Sequence, residues 1–237
     1  MIEIKSFSKK YSSHASGVAV KDFSMTCRKG EITGILGLNG AGKTTVLKAI
    51  CGRHFATSGE ILVDGVNVSE NPEKVRNLTG FVAEVPQFPE EFTVSEYLLM
   101  CAQLHGIKKI PSLKNLSLEE LLPKKIRTLS KGQRERVNFA QALIYEPSVL
   151  VLDEPASGLD PAQIINMRNL IKSLKNDHTI ILSTHLMQEV ESLCDFVYII
   201  HNGRLAASGT KEDIASSFCC KNLEEAFFKI TSDKGAL

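Results

Sequence analysis

The stretch Gly37-Leu38-Asn39-Gly40-Ala41-Gly42-Lys43-Thr44-Thr45 constrains this chain more than any other. It matches G-x-x-x-x-G-K-[ST], a pattern with physical meaning where a strand enters it and a helix leaves it. Both conditions hold in the sequence: Glu31 to Leu36 reads as a strand, and a helix is predicted from about Gly42 to Cys51. The glycines let backbone N–H groups converge on phosphate oxygens. The helix N-terminus adds partial positive charge. Lys43 is placed to reach the outer phosphates, and the Thr44 hydroxyl is a hard oxygen ligand suited to Mg²⁺. A glycine-rich turn without a ligand is the competing reading, and the ordered run of strand, loop, Gly-Lys-Thr and helix argues against it. A phosphate loop alone is shared by G proteins, helicases and small-molecule kinases, so the rest of the chain must decide the function.

The remaining pattern suits such a core. Ile2, Ile4 and Phe7 open one strand and Val18 to Cys27 form a second, with a polar loop from Ser12 to Gly17 between them. Gly59 to Asp64 and Gly80 to Val85 read as two more. From about Phe88 to Glu146 strand signals are few. Helices are predicted there over Thr93 to His105, Leu116 to Leu122 (stopped by Pro123) and Lys131 to Tyr145, which together read as a helical lobe. Apolar strands then return at Val149 to Leu152, Thr179 to Ser183 and Phe196 to His201, alternating with helices at Pro161 to Lys175 and Leu186 to Cys194. Continuous apolar strands between helices indicate a parallel sheet covered on both faces. Asn202-Gly203 signals a hairpin into Arg204 to Ala207. Thr210 to Ser217 and Leu223 to Ile230 are expected to close as helices.

Composition narrows the classes. With 237 residues, 43% of them hydrophobic, the chain can bury a substantial core as one large domain or one domain with a lobe. A net charge of +1 without a basic run gives no electrostatic case for nucleic acid. No apolar run approaches the ~20 residues needed to span a bilayer, and Met1 to Phe7 lacks the apolar segment of a secretory signal. The six cysteines have no metal-ligand spacing, so reduced thiols are expected.

A second constellation supplies carboxylates. Val149 to Leu152 is a buried-type strand ending in Asp153-Glu154. Asp153 is expected to hold Mg²⁺ through water, and Glu154 to polarise the attacking water as general base. The plainer alternative is that Asp153-Glu154-Pro155 merely ends a strand. Upstream, Leu129-Ser130-Lys131-Gly132-Gln133 opens a helix. Ser130 and Gln133 form a capping box there, which is compatible with an anion site at the same helix N-terminus.

In this order, these residues resemble the ATP-binding-cassette family over nearly the whole chain. The phosphate loop is followed by a glutamine loop (Val85-Pro86-Gln87), a signature (Leu129 to Gln133), the Asp153-Glu154 strand, a D-loop (Ser157-Gly158-Leu159-Asp160) and a switch histidine (Ser183-Thr184-His185). Tyr11 falls where the family stacks an aromatic ring on adenine. The resemblance implies an α/β fold: a P-loop NTPase core with a mostly parallel sheet, an N-terminal antiparallel β portion and an inserted small helical lobe. It implies one nucleotide-binding domain over residues 1–237, with the lobe at about 88–146.

It further implies a head-to-tail dimer of cassettes, homomeric or heteromeric, with ATP between the phosphate loop of one chain and the signature of the other. Ser130, Lys131, Gly132 and Gln133 then serve the partner's ATP. Gln87 contacts Mg²⁺ and the attacking water, His185 contacts the γ-phosphate, and Asp160 crosses the interface. Asp160-Pro161-Ala162-Gln163 also reads as a helix start, with cap, N1 proline and N3 glutamine. Lys131 replaces the first glycine of the commonest signature form and adds positive charge near the partner's phosphates.

The expected function is an ATP-hydrolysing transporter motor. It works through a separate integral membrane permease at the cytoplasmic face of the cell membrane, without nucleic acid. The lobe, shorter than usual, is expected to dock on that permease, with Phe88, Phe92 and Leu99 as candidate contacts, although Leu99 is expected rather to pack in the core. The tail Leu223 to Thr231 resembles cassettes of bacterial drug, antibiotic and lipid exporters, which favours export. An importer motor and a soluble cassette ATPase are the alternatives. A G protein is disfavoured because no Asn-Lys-x-Asp motif occurs.

Overall fold

The computed structural model describes residues 1–11 and 17–232, so most of the expected Ser12 to Gly17 loop lies outside the described residues. The strands are β1 (Ile2–Lys10), β2 (Val18–Cys27), β3 (Ile32–Leu36), β4 (Ser58–Val63), β5 (Val66–Asn67), β6 (Thr79–Val82), β7 (Val149–Asp153), β8 (Thr179–Thr184), β9 (Phe196–His201) and β10 (Arg204–Gly209). The helices are α1 (Lys43–Ile50), α2 (Pro72–Leu78), α3 (Val94–Leu104), α4 (Lys131–Leu143), α5 (Pro161–Leu174), α6 (Met187–Leu193), α7 (Lys211–Ser217) and α8 (Leu223–Ser232).

Two sheets form. The first is antiparallel, in the order β2-β1-β4-β5, and the second runs β10-β9-β3-β8-β7-β6. In the second, β9, β3, β8, β7 and β6 are mutually parallel and β10 is an antiparallel edge. Asn202 (φ 48°) and Gly203 (φ 74°) both take left-handed backbone, as a two-residue hairpin between β9 and β10 requires.

Strand periodicity divides the interior in two. Leu150, Leu152, Ile180, Leu182, Val197 and Ile199 face a core shared with α3, α4, α5 and α6. Their neighbours Val149, Val151, Ile181, Tyr198 and Ile200 face the antiparallel sheet and α1. Residues 88–146 contain α3, α4 and two 3₁₀ turns, Lys114–Leu116 and Ile126–Thr128. Val94, Leu98 and Phe139 from this segment join the first core directly.

Three segments depart from what the sequence predicts. Leu116 to Leu122 is not a helix. Ser117 takes left-handed backbone (φ 46°), and turns closed by Leu121 N–H to Leu118 O and Lys124 N–H to Leu121 O carry the chain on. Leu116, Leu118 and Leu121 are buried as anchors of these turns, so their spacing reflects packing and not a helix face. The strand expected from Gly80 to Val85 ends at Val82. The unpredicted α2 buries only Val75, too little for a periodic signal, although Asn71-Pro72-Glu73 carries the N1-proline helix-start pattern. Leu99 is only half-buried and Phe92 is exposed, whereas the neighbouring Leu98 is in the core. Among the described residues no helix is long and apolar enough to cross a membrane.

Candidate active site

The strand order brings the chemistry together. β8 lies between β3 and β7, so the loops leaving their carboxyl ends, which carry the phosphate loop, Glu154 and His185, are neighbours. The phosphate loop is fixed by close backbone approach. A Cβ at Gly37 would sit 2.5 Å from Ile200 O, and one at Gly42 would sit 2.9 Å from Ala19 O, with Gly42 at φ 110°. Gly40 also takes left-handed backbone (φ 81°). Leu38, Asn39 and Gly40 are exposed at the tip, Ala41 is buried, and Thr45 lies in the first turn of α1. Gly42 caps α1 without a side-chain hydrogen bond, so the first N–H groups of the helix are available to an anion.

Lys43 is buried. Its Nζ donates to Gly37 O at 2.8 Å and to Leu38 O at 3.3 Å, and lies 3.0 Å from Glu154 Oε1. Thr44 Oγ1 donates to Asp153 Oδ1 at 3.1 Å, and Ser183 Oγ donates to the same oxygen at 2.7 Å. Glu154 follows β7 in left-handed backbone (φ 49°), a conformation that is uncommon for a residue with a Cβ and recurs at functional sites. Its N–H faces Ser183 O and Ser183 Oγ, both at 3.2 Å. Its Oε2 accepts from the His185 N–H at 3.3 Å and pairs with His185 Nδ1 at 2.8 Å. A buried carboxylate without partners is costly, and Lys43 and His185 supply them here. Lys43, Thr44, Asp153, Glu154 and His185 are therefore one connected network. Ser183, to which the sequence reading assigned no role, holds Asp153 and the turn at Glu154.

The other expected residues lie apart from that network. No hydrogen bond or ion pair among the described residues joins Gln87, Ser130 or Asp160 to it. Gln87 is exposed on the loop between β6 and α3. Ser130 caps α4 reciprocally with Gln133, and Asp160 caps α5 reciprocally with Gln163, so both capping boxes read from the sequence form. The two helix starts meet: a Cβ at Gly132 would sit 2.8 Å from the Gln163 side chain, and one at Gly158 would meet the Lys131 ammonium. Tyr11 N–H donates to Gly17 O, and its ring stands edge-on to His54 with centroids 5.7 Å apart. Lys9 Nζ lies 5.1 Å from the same ring. The hydroxyl and carboxylate oxygens of Thr44 and Asp153 are a donor set that fits Mg²⁺. Among the described residues no cluster of three or more His, Cys, Asp or Glu forms a resident metal site.

The family described as "ABC transporter" matches residues 20–157. The chain is 37% identical over 211 residues to the bacitracin transport ATP-binding protein BcrA of Bacillus licheniformis, covering 86% of this chain and 68% of that protein. It is 36% identical over 219 residues to the ABC transporter ATP-binding protein NatA of Bacillus subtilis, covering 88% and 89% respectively. The Nod factor export ATP-binding protein I of Ralstonia nicotianae is 34% identical over 222 residues, covering 90% and 68%. A solved ATP-binding subunit of an ABC transporter superposes with a TM-score of 0.86 at 31% identity, over 97% of this chain and 99% of that one. The phosphate loop, the paired carboxylates and the parallel sheet that presents them agree with this relationship, and the chain belongs to the ABC transporter family as an ATP-binding subunit with the ATPase fold.

Proposed function

We propose that this chain hydrolyses ATP as one half of a head-to-tail pair of cassettes and drives export through a separate membrane permease. The observation that carries the reading is the division of the site. Lys43, Thr44, Asp153, Glu154 and His185 form one network, while the capped signature turn Ser130–Gln133, with Ser130 and Lys131 exposed, stands apart from it. A second copy can supply that turn to the open side of the phosphate loop.

When bound, Mg²⁺ neutralises phosphate charge, with Thr44, Asp153 and Gln87 as the residues that hold it. Phosphoryl transfer then asks the protein for positioning and electrostatics more than for covalent chemistry. Backbone N–H groups from Gly37 to Thr45 cradle the phosphates, and adenine rests on Tyr11. The Lys43 ammonium is shared between Glu154 and loop carbonyls. Phosphate oxygens that take it over release Glu154 Oε1 to accept the proton of the attacking water. His185 steadies the second oxygen of Glu154 and reaches the γ-phosphate. The partner's Ser130 hydroxyl and signature amides close the site.

Each member of the pair is a single cassette, with residues 88–146 as its inserted lobe. A groove of about 550 Å³ between α2, α3 and β6, edged by Arg53, Arg76, Phe81, Leu104 and His105, with Leu104 exposed at its rim, suits permease docking. The chain then sits peripherally at the cytoplasmic side of the membrane. Export is favoured by the Nod factor export relative and by the resemblance of the tail Leu223 to Thr231 to exporter cassettes, whereas the burial of Leu223, Ala226 and Ile230 by α8 is core packing. The reading is tested by steady-state ATPase assays of the purified chain over a range of protein concentrations. Turnover per chain is expected to rise with concentration and then saturate. A constant turnover would contradict the shared site.

A further inference from the structure

Helix α4 starts at the signature turn, and one of its faces grips a different loop. Arg134, Asn138 and Gln141 follow an i, i+4, i+7 spacing and so stand in one row. Gln141 Nε2 donates to Phe81 O at 2.8 Å, and Asn138 Nδ2 donates to Ala83 O at 2.8 Å. Those carbonyls lie where β6 gives out. Arg134 then reaches Glu90 with two parallel bonds, NH1 to Oε1 at 2.8 Å and NH2 to Oε2 at 2.6 Å. The row thus holds both ends of the loop whose exposed middle carries Gln87.

Backbone contacts secure the far end further. Arg127 N–H donates to Glu90 O at 3.2 Å, and Ile126 N–H donates to Phe92 O at 2.9 Å. The near end touches the D-loop, where Ser157 Oγ donates to Glu84 Oε1 at 3.4 Å. An exposed ion pair adds little to global stability. A forked arginine–carboxylate pair does fix relative orientation. Arg134 is also one helical turn from Ser130, so whatever moves Glu90 is felt at the signature.

We propose that Arg134 and Glu90 are positioning residues that keep the Gln87 loop in fixed register with the signature turn. Contact of Gln87 with one nucleotide and of Ser130 with the other then move as one unit. This rests on the shared-site reading above. Neither residue touches the nucleotide, so the pair acts on turnover and not on ATP affinity.

The test uses the full chain with Glu90→Arg, Arg134→Glu and the double charge swap, with Glu90→Gln as a milder variant should a reversal fail to fold. Hydrogen exchange of the Phe92, Ile126 and Arg127 amides, which bond the far end of the loop, is read in nucleotide-free protein, where no dimer is required. Each single change is expected to speed that exchange about tenfold. Each should lower kcat roughly fivefold with KM within about twofold, and the swap should recover most of both losses. Wild-type exchange or wild-type kcat in the single variants would overturn the proposal. So would a double swap that melts like wild type yet is no better than the singles. If turnover of the unaltered chain does not rise with protein concentration, the shared-site reading fails by itself, and the exchange measurement still decides whether the clamp exists.

Discussion

Lys43 is buried against the carboxylate it neutralises, so it has two separable roles. One, proposed above, is to bind phosphate, and the other is to compensate Glu154. Lys43→Ala is expected to abolish ATP binding at micromolar concentrations. It should also destabilise the fold, because removing one partner of a buried pair costs about 3–5 kcal/mol. Adding Glu154→Gln removes the stranded charge and is expected to restore most of the thermal stability without restoring affinity. Calorimetric titration with ATP and a melting curve on the same samples separate the two effects. Unchanged ATP affinity in Lys43→Ala would remove the phosphate-loop assignment. Ser183 belongs to the same scale: its hydroxyl and carbonyl hold Asp153 and the strained turn at Glu154. Its importance depends on β8 lying beside β7, which no local pattern announces.

At the scale of elements, α4 carries most of the organisation. It presents the signature, holds the Gln87 loop and buries Glu135. Burial pushes the Glu135 carboxyl up to about 7, with the Asn138 amide and Lys131 opposing that rise. A carboxyl whose folded pKa is raised contributes stability that is fully present below its unfolded value and is lost as pH climbs through the folded one. Glu135→Gln keeps the shape without the charge. The variant is expected to melt near the wild-type temperature at about pH 5 and about 5 °C above it at about pH 8. A difference independent of pH would contradict this assignment.

Much of this scale is legible from local chemistry. The Ser130–Gln133 and Asp160–Gln163 capping boxes and the Asn202-Gly203 hairpin follow from residue types at fixed offsets. What is not legible depends on distant partners. Leu116, Leu118 and Leu121 mimic a helix face because turns bury them. The Arg134–Glu90 fork joins residues 44 positions apart. The separation of Ser130 from the phosphate loop of its own chain is likewise a property of the folded molecule.

For the whole molecule, the question is whether two incomplete sites become complete by pairing. One chain holds Lys43, Asp153, Glu154 and His185 in one network, and its signature turn stands apart from it. Slow hydrolysis by a monomer and fast hydrolysis by a pair follow from that division. So does trapping of the pair when the base is removed, because Glu154→Gln leaves the phosphate-binding groups in place. The most direct measurement is size-exclusion chromatography of Glu154→Gln protein with and without Mg-ATP, repeated with Ser130→Arg added. The expected result is a dimer that appears only with Mg-ATP and is lost when bulk and charge at position 130 block closure. A protein that stays monomeric with saturating Mg-ATP, or whose dimer persists after Ser130→Arg, would contradict the composite site.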